Sequence, residues 1–207
     1  MLARIGLTFV VLAALAHFEN VDEPGFVPLL KGGDVDSFQL VAIGPDTMTI
    51  QNGEIRISGK PNGYFATKQS YQNYVLKFDW MYERPEGLEL GSKFDGNSGL
   101  LLHIAKPHKV WPRSIEVQLA NSDAGNIFAI TGKFRGQKDP AAQKKAIKAV
   151  GEWNEEEVIC KDGSIVCKIN GIEVARGTGA EPDRGQIGWQ SEGRPIRFRN
   201  LRIKPFD

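Results

Sequence analysis

Two short polar alternations carry the residue types best suited to chemistry in this chain. The first is Ser114-Ile115-Glu116-Val117-Gln118-Leu119; the second is Gln186-Ile187-Gly188-Trp189-Gln190-Ser191-Glu192. Successive side chains of a strand point to opposite faces. Ile115, Val117 and Leu119 therefore point one way, with Glu116 and Gln118 pointing the other. In the second segment Ile187 and Trp189 oppose Gln190 and Glu192. A carboxylate and an amide two residues apart, in both segments, make a surface that can grip vicinal hydroxyls in two-pronged fashion. The carboxyls can also carry protons to and from a reacting group.

The same alternation puts Asn97 and His103 opposite Leu100, Leu102 and Ile104, and Arg197 and Arg199 opposite Ile196 and Phe198. If these strands are neighbours, all of these residues share one polar face, which twist and bulges can make concave. His103, Glu116 and Glu192 are then the proton carriers. Asn97, Gln118 and Gln190 would hold hydroxyls. Trp111, Trp153 and Trp189 could stack on a sugar ring, core packing being the plainer role for Trp189. His103 with Glu116 could bind a divalent cation or share a proton, although a lone histidine is more often structural. Any sandwich has a wet outer face. What distinguishes this one is its density of planar hydrogen-bonding groups.

The elements that must position these residues are short strands separated by turns. Tyr74, Leu76, Phe78, Trp80 and Tyr82 alternate with Val75, Lys77, Asp79 and Met81 over Asn73–Tyr82, which predicts one deeply buried face. Asn52-Gly53, Asp162-Gly163 and Asn170-Gly171 are hairpin turns. Ile196 and Phe198 have the opposite parity to Leu201 and Ile203, so a bulge is expected at Asn200. One helical stretch, Asp139–Val150, opens on Pro140 and belongs to a connection. About a dozen such strands argue an all-β, two-sheet antiparallel sandwich with one short helix.

A chain of 207 residues suits one domain. Its 26 basic and 25 acidic side chains leave a net charge of +1 without any like-charge block, which speaks against nucleic acid as a partner. There is no G-x-S-x-G and no P-loop, and Gly32-Gly33 is too short for a dinucleotide fingerprint. Residues 1–16 read as a signal peptide: Arg4, an apolar run from Ile5 to Ala16, and Ala14-Leu15-Ala16 as cleavage site. Such a run is short of the ~20 residues that span a bilayer. The expectation is an exported protein, periplasmic or extracellular, with no membrane anchor in its mature form. Residues 17–25 are then a linker and 26–207 the folded domain. Cys160 and Cys167 flank the Asp162-Gly163 turn. With a two-residue turn they sit diagonally, ~7–8 Å apart, and the expectation is two free, half-buried thiols. A four-residue loop would set them opposite each other and permit a bond in an oxidising compartment. Their C-x6-C spacing does not suit a metal.

One set of motifs, in this order and spacing, resembles a known family. The motifs are Asp95-Gly96-Asn97-Ser98-Gly99-Leu100-Leu101-Leu102-His103, Ile115-Glu116-Val117-Gln118, Gly151-Glu152-Trp153-Asn154, Asn170-Gly171, Gly188-Trp189-Gln190-Ser191-Glu192-Gly193 and Phe198-Arg199-Asn200-Leu201-Arg202-Ile203. The chain is similar, from about Phe26 onwards, to the 3-keto-disaccharide hydrolase domain. The resemblance implies a concanavalin A-like jelly roll and action on sugars oxidised at C3. Such a ketone acidifies the hydrogen on C2, so a base can form an enolate that expels the C1 substituent; water then adds back. The chemistry the resemblance implies asks for a base and an acid, from among Glu116, Glu192 and His103, and an enolate stabiliser, which Arg113, Arg197, Arg199 or a bound cation could supply. The rival expectations are a carbohydrate-binding module without turnover and an interaction domain whose polar face meets another protein.

Overall fold

The computed structural model describes residues 23–31, 33–89 and 91–206. The segment read as a signal peptide, and most of the linker, lie outside them. Fifteen strands and one α-helix follow in the described residues. The first eight strands are β1 (Val27–Pro28), β2 (Phe38–Val41), β3 (Met48–Gln51), β4 (Glu54–Ile57), β5 (Gly63–Thr67), β6 (Tyr74–Tyr82), β7 (Gly99–Ile104) and β8 (Ile115–Gln118). After them come β9 (Ile127–Ala129), β10 (Lys133–Lys138), α1 (Pro140–Ala146), β11 (Asn154–Lys161), β12 (Ser164–Ile169), β13 (Ile172–Glu181), β14 (Gln186–Ser191) and β15 (Ile196–Pro205).

Two antiparallel sheets face each other as a jelly-roll sandwich. The wider sheet runs β10-β13-β12-β11-β6-β15-β4-β3, with β1 added on β15, nine strands in all; the narrower runs β2-β5-β14-β7-β8-β9. The alternation over Asn73–Tyr82 does what its pattern predicts: Tyr74, Leu76, Phe78, Trp80 and Tyr82 are all buried on the inner face of the wider sheet. They meet Phe65, Leu100, Leu102, Ile115, Val117 and Trp189 from the narrower one. Phe65 stacks on Trp189 with ring centroids 5.1 Å apart, and Phe78 meets Trp189 edge-on at 5.9 Å. Both geometries suit aromatic quadrupoles. The helix is shorter than its sequence pattern, because Asp139 caps it and Ile147 returns to extended backbone.

Asn200 is the bulge its parity slip predicts. Arg199 pairs with Asp79 but Arg202 with Lys77, and Asn200 takes a φ of 56°. Phe198, Leu201 and Ile203 thereby all stay buried. A second bulge overturns a sequence expectation. Gln186 pairs with Ile104 but Gly188 with Leu101, so β7 holds one residue more than β14, and His103 has a φ of 57°. The extra residue exchanges the faces beyond it: Ile104 turns outward, and His103 turns inward against Tyr74. Cys160 and Cys167 are free thiols, fully rather than half buried. Cys167 faces Val158 and Cys160 faces Ile165 across the β11–β12 pair, the diagonal arrangement expected of a two-residue turn.

Candidate functional site

The outer face of the narrower sheet is built in rows. One row reads Gln39, Ala66, Gly188, Leu101, Glu116, Phe128 across β2, β5, β14, β7, β8 and β9. The next contains Val41, Tyr64 and Gln190 on one side and Gly99 opposite Gln118 on the other. Glu116, Gln118 and Gln190 thus share a face, as the two alternations require. Asn97 bridges Glu192 and Gly193 just beyond the strand ends and brings that carboxyl to the same corner. Gly99 is what lets the groups converge, since a Cβ there would collide with both Gln190 Oε1 and Glu116 Oε1.

Burial dominates the electrostatics of this corner. Glu116 is 5% exposed. Desolvation, then the charge of Glu192, push its carboxyl up to about 8, partly offset by the Gln190 amide. Glu116 is therefore protonated at neutral pH. Glu192 is half-buried; desolvation raises it and Asn97 opposes that rise. Gln190 Oε1 is buried without a partner among the described residues, which leaves an acceptor beside a protonated carboxyl. Gln118 Oε1 accepts from the Ala120 N–H at 2.8 Å, so its NH2 group is the end left to donate.

Five of the expected residues, Asn97, Glu116, Gln118, Gln190 and Glu192, are brought together; the others are not. His103 lies between the sheets, its Nε2 3.3 Å from Tyr74 Oη and its Nδ1 3.3 Å from the Pro182 carbonyl. Desolvation holds it down to about 4. It occupies the opposite face of the sheet from Glu116, so the two cannot share a proton or a cation. Arg197 and Arg199 project from the outer face of the wider sheet. There Arg197 Nε meets Glu83 at 2.8 Å and Arg199 Nε meets Asp79 at 2.9 Å. Trp153 lies on that side too, under the Arg199 guanidinium at 4.1 Å. Arg113 is exposed in the β7–β8 connection, at the far end of those strands from Asn97. Among the described residues no three His, Cys, Asp or Glu side chains gather closely enough to hold a metal.

Two features were missed. Phe128, directly across from Glu116 on edge strand β9, is 36% exposed. It offers an apolar ring face beside the carboxyl. Its alternation with Ile127 and Ala129 was readable in the sequence, but its neighbour was not. The second feature is hydrocarbon. Tyr64, Ala66, Leu101 and Ile104 form a buried cluster on this outer face, and Ile104 and Tyr64 close over Gly188, which has no side chain. The polar corner is thus bounded by an apolar ridge and does not run along the whole sheet.

Comparison with solved structures gives the same architecture. A protein from Parabacteroides distasonis proposed to be a glycosyl hydrolase superposes with a TM-score of 0.65 at 20% identity, covering 88% of this chain and 95% of that one. The carbohydrate-binding module CBM66 from Bacillus subtilis gives 0.54 at 12% identity, over 87% and 95%. A β-glucanase from Bacillus licheniformis gives 0.52 at 10% identity, over 88% and 97%. No curated protein matches the sequence. A family profile matches residues 25–204, nearly the whole described chain. With its ordered motifs on the expected sandwich, the chain belongs to the 3-keto-alpha-glucoside-1,2-lyase-like domain family.

Proposed function

We propose that this chain is a carbohydrate-active enzyme that cleaves 3-keto-glycosides at the Asn97–Glu116–Gln118–Gln190–Glu192 corner. The observation that carries the reading is a pair of carboxyls converging on one sheet face around Gly99 and Asn97, Glu116 buried and Glu192 more accessible. Burial raises both, and the more deeply buried Glu116 is lifted to about 8, which suits it to the acid role and leaves the base role to Glu192. Glu192, the more accessible, takes the hydrogen from C2. The electron pair forms the C2–C3 enolate, with negative charge on the C3 oxygen, and the Gln118 NH2 group is free to donate to that oxygen. The C1–O bond then breaks, and the leaving oxygen takes the proton held by Glu116. The C3 ketone re-forms in that step as an enone; water then adds its oxygen to C1, Glu116 recovers a proton from that water and Glu192 returns its own to C2, which completes a net hydrolysis. Phe128 offers the sugar ring an apolar face.

Glu116→Gln and Glu192→Gln should each lower turnover of a 3-keto-glucoside by ~10²–10⁴, with folding intact by circular dichroism. Near-normal rates in both would remove the pair from the mechanism. Because Glu116 must be protonated, activity should fall as pH rises through about 8. The second reading is a binding module without turnover. The ridge of Tyr64, Leu101 and Ile104 favours it, since it bounds the corner with hydrocarbon. Glycan binding with no product after prolonged incubation would select it. Export is part of the same proposal and rests on the apolar run before residue 17; a secreted form whose intact mass lacks residues 1–16 is the expected result.

A further inference from the structure

Beyond the apolar ridge, at the other end of the same outer face, lies a cavity of about 630 Å³ lined by Gln39, Lys68, Lys106, His108, Arg184 and Gln186, among others. No carboxylate lines it, and Lys68, Lys106 and Arg184 form no ion pair among the described residues. Asp183, next in sequence to Arg184, is engaged by Gln72 Nε2 at 3.0 Å.

A chain of amides fixes the chemistry of this cavity. Gln186 is 8% exposed, and its Nε2 donates to the Thr67 backbone carbonyl at 2.6 Å. A carbonyl only accepts, so that end of Gln186 must be its NH2 group. Its second donor, at 3.1 Å, requires that Gln39 present Oε1. Gln39 must then turn its own NH2 towards His108 Nδ1, 2.8 Å away. Nδ1 accepts, and the ring proton is left on Nε2. That nitrogen is buried and has no partner among the described residues. A fixed N–H donor without an acceptor, on a residue that lines a cavity bearing three unpaired cations, calls for an oxygen bearing negative charge.

We propose that this cavity is an oxyanion subsite for a glycan carrying a carboxylate or sulfate, with His108 Nε2–H donating and Lys106 and Arg184 supplying charge. Gln186 stands two strands and two residues from Glu116, roughly 12 Å at ~4.8 Å per strand and ~3.3 Å per residue. The charged group would therefore sit on a part of the glycan beyond the bond broken. The assignment rests on the reading of this face as a carbohydrate surface, and it deepens that reading by naming a class of ligand.

The test is calorimetric titration of the full chain, and of Glu116→Gln, with methyl β-glucuronide, methyl β-glucoside 6-sulfate, neutral methyl β-glucoside and inorganic sulfate. The anionic sugars should bind at least tenfold more tightly than the neutral one, and added salt should erode the difference. Lys106→Gln and Arg184→Gln, both at exposed positions, should each reduce that preference several-fold, as should His108→Phe. Arg113→Gln, outside the cavity, should leave it unchanged. Equal binding of neutral and anionic sugars overturns the proposal, as does a preference that survives both Lys106→Gln and Arg184→Gln. Inorganic sulfate binding as tightly as the anionic sugars overturns the glycan assignment. Since Glu116→Gln reports binding without turnover, failure of the cleavage reading and failure of this one give different results.

Discussion

Glu116 and Glu156 hold protons at neutrality for one physical reason, in two different places. Glu116 looks outward on the narrower sheet. Glu156 lies wholly inside the sandwich, where Trp80 Nε1–H donates to one carboxyl oxygen at 2.8 Å and Cys167 Sγ–H to the other at 3.4 Å. Desolvation lifts it to about 8, against the pull of those two donors. A carboxyl raised in the fold adds full stability below its unfolded value of 4.5. That stability is lost as pH climbs through about 8, at about 1.4 kcal/mol per pH unit within the window. Glu156→Gln keeps the shape and an acceptor for Trp80. Denaturant melts at pH 5 and pH 8 should therefore show a smaller loss in the variant than in the parent; equal losses would mean that Glu156 is already charged inside the fold. The sequence concealed this residue. Three consecutive carboxylates, Glu155-Glu156-Glu157, do not single one out, and the pairing of Glu156 with Phe78 and Ile169 shows that the middle one points inward.

At the scale of elements, alternation was legible wherever a strand kept its register. Tyr74–Tyr82 announced its inner face, and the opposed parities of Phe198 and Leu201 announced the bulge between them. The β7 bulge left no such mark, because Leu101, Leu102 and Ile104 are apolar on either face and His103 is plausible on both. Which sheet carried Arg197 and Arg199 was also illegible, since parity gives a face and strand order gives a sheet. The bulge at Asn200 carries its own prediction. Asn200 holds a left-handed φ, and its Nδ2 donates to Asp79 Oδ2 at 2.7 Å. Asn200→Ala loses that bond and strains the backbone, a cost of about 1–3 kcal/mol. Asn200→Gly loses only the bond and should cost less, a ranking that equilibrium unfolding measures directly. The reverse order would show that backbone strain at this bend is negligible.

Across the whole molecule the buried ionisable groups set a pH dome. His103, pushed down to about 4 from 6.5 by desolvation, must stay neutral in the fold; its contribution is lost as pH falls from 6.5 towards 4. The Arg56 contact lowers Glu83 and the Lys77 contact lowers Glu23, so both also lose stability in acid. Glu116 and Glu156 lose theirs in the opposite direction, from 4.5 up to about 8. Between 4.5 and 6.5 two carboxyls outweigh one imidazole, so maximal stability belongs at about pH 5. Guanidinium titrations from pH 4 to 9 should find the peak there, and a maximum above pH 7 would contradict these burial effects. The sequence supplied each of these groups but not its surroundings, because burial is a property of the packed sandwich.

The added residue in β7 has a consequence for the lineage. Inserting a single residue into β14 between Gln186 and Gly188 would match the extra residue of β7, restore strict alternation there, turn the His103 imidazole outward and draw Ile104 into the interior. One indel could thus give or withhold an imidazole on the face that carries Glu116, with no substitution among the acids themselves. Homologues aligned column by column past this point can carry identical letters on opposite sides of the sheet, and their chemistry should be compared by the length of this segment before its composition.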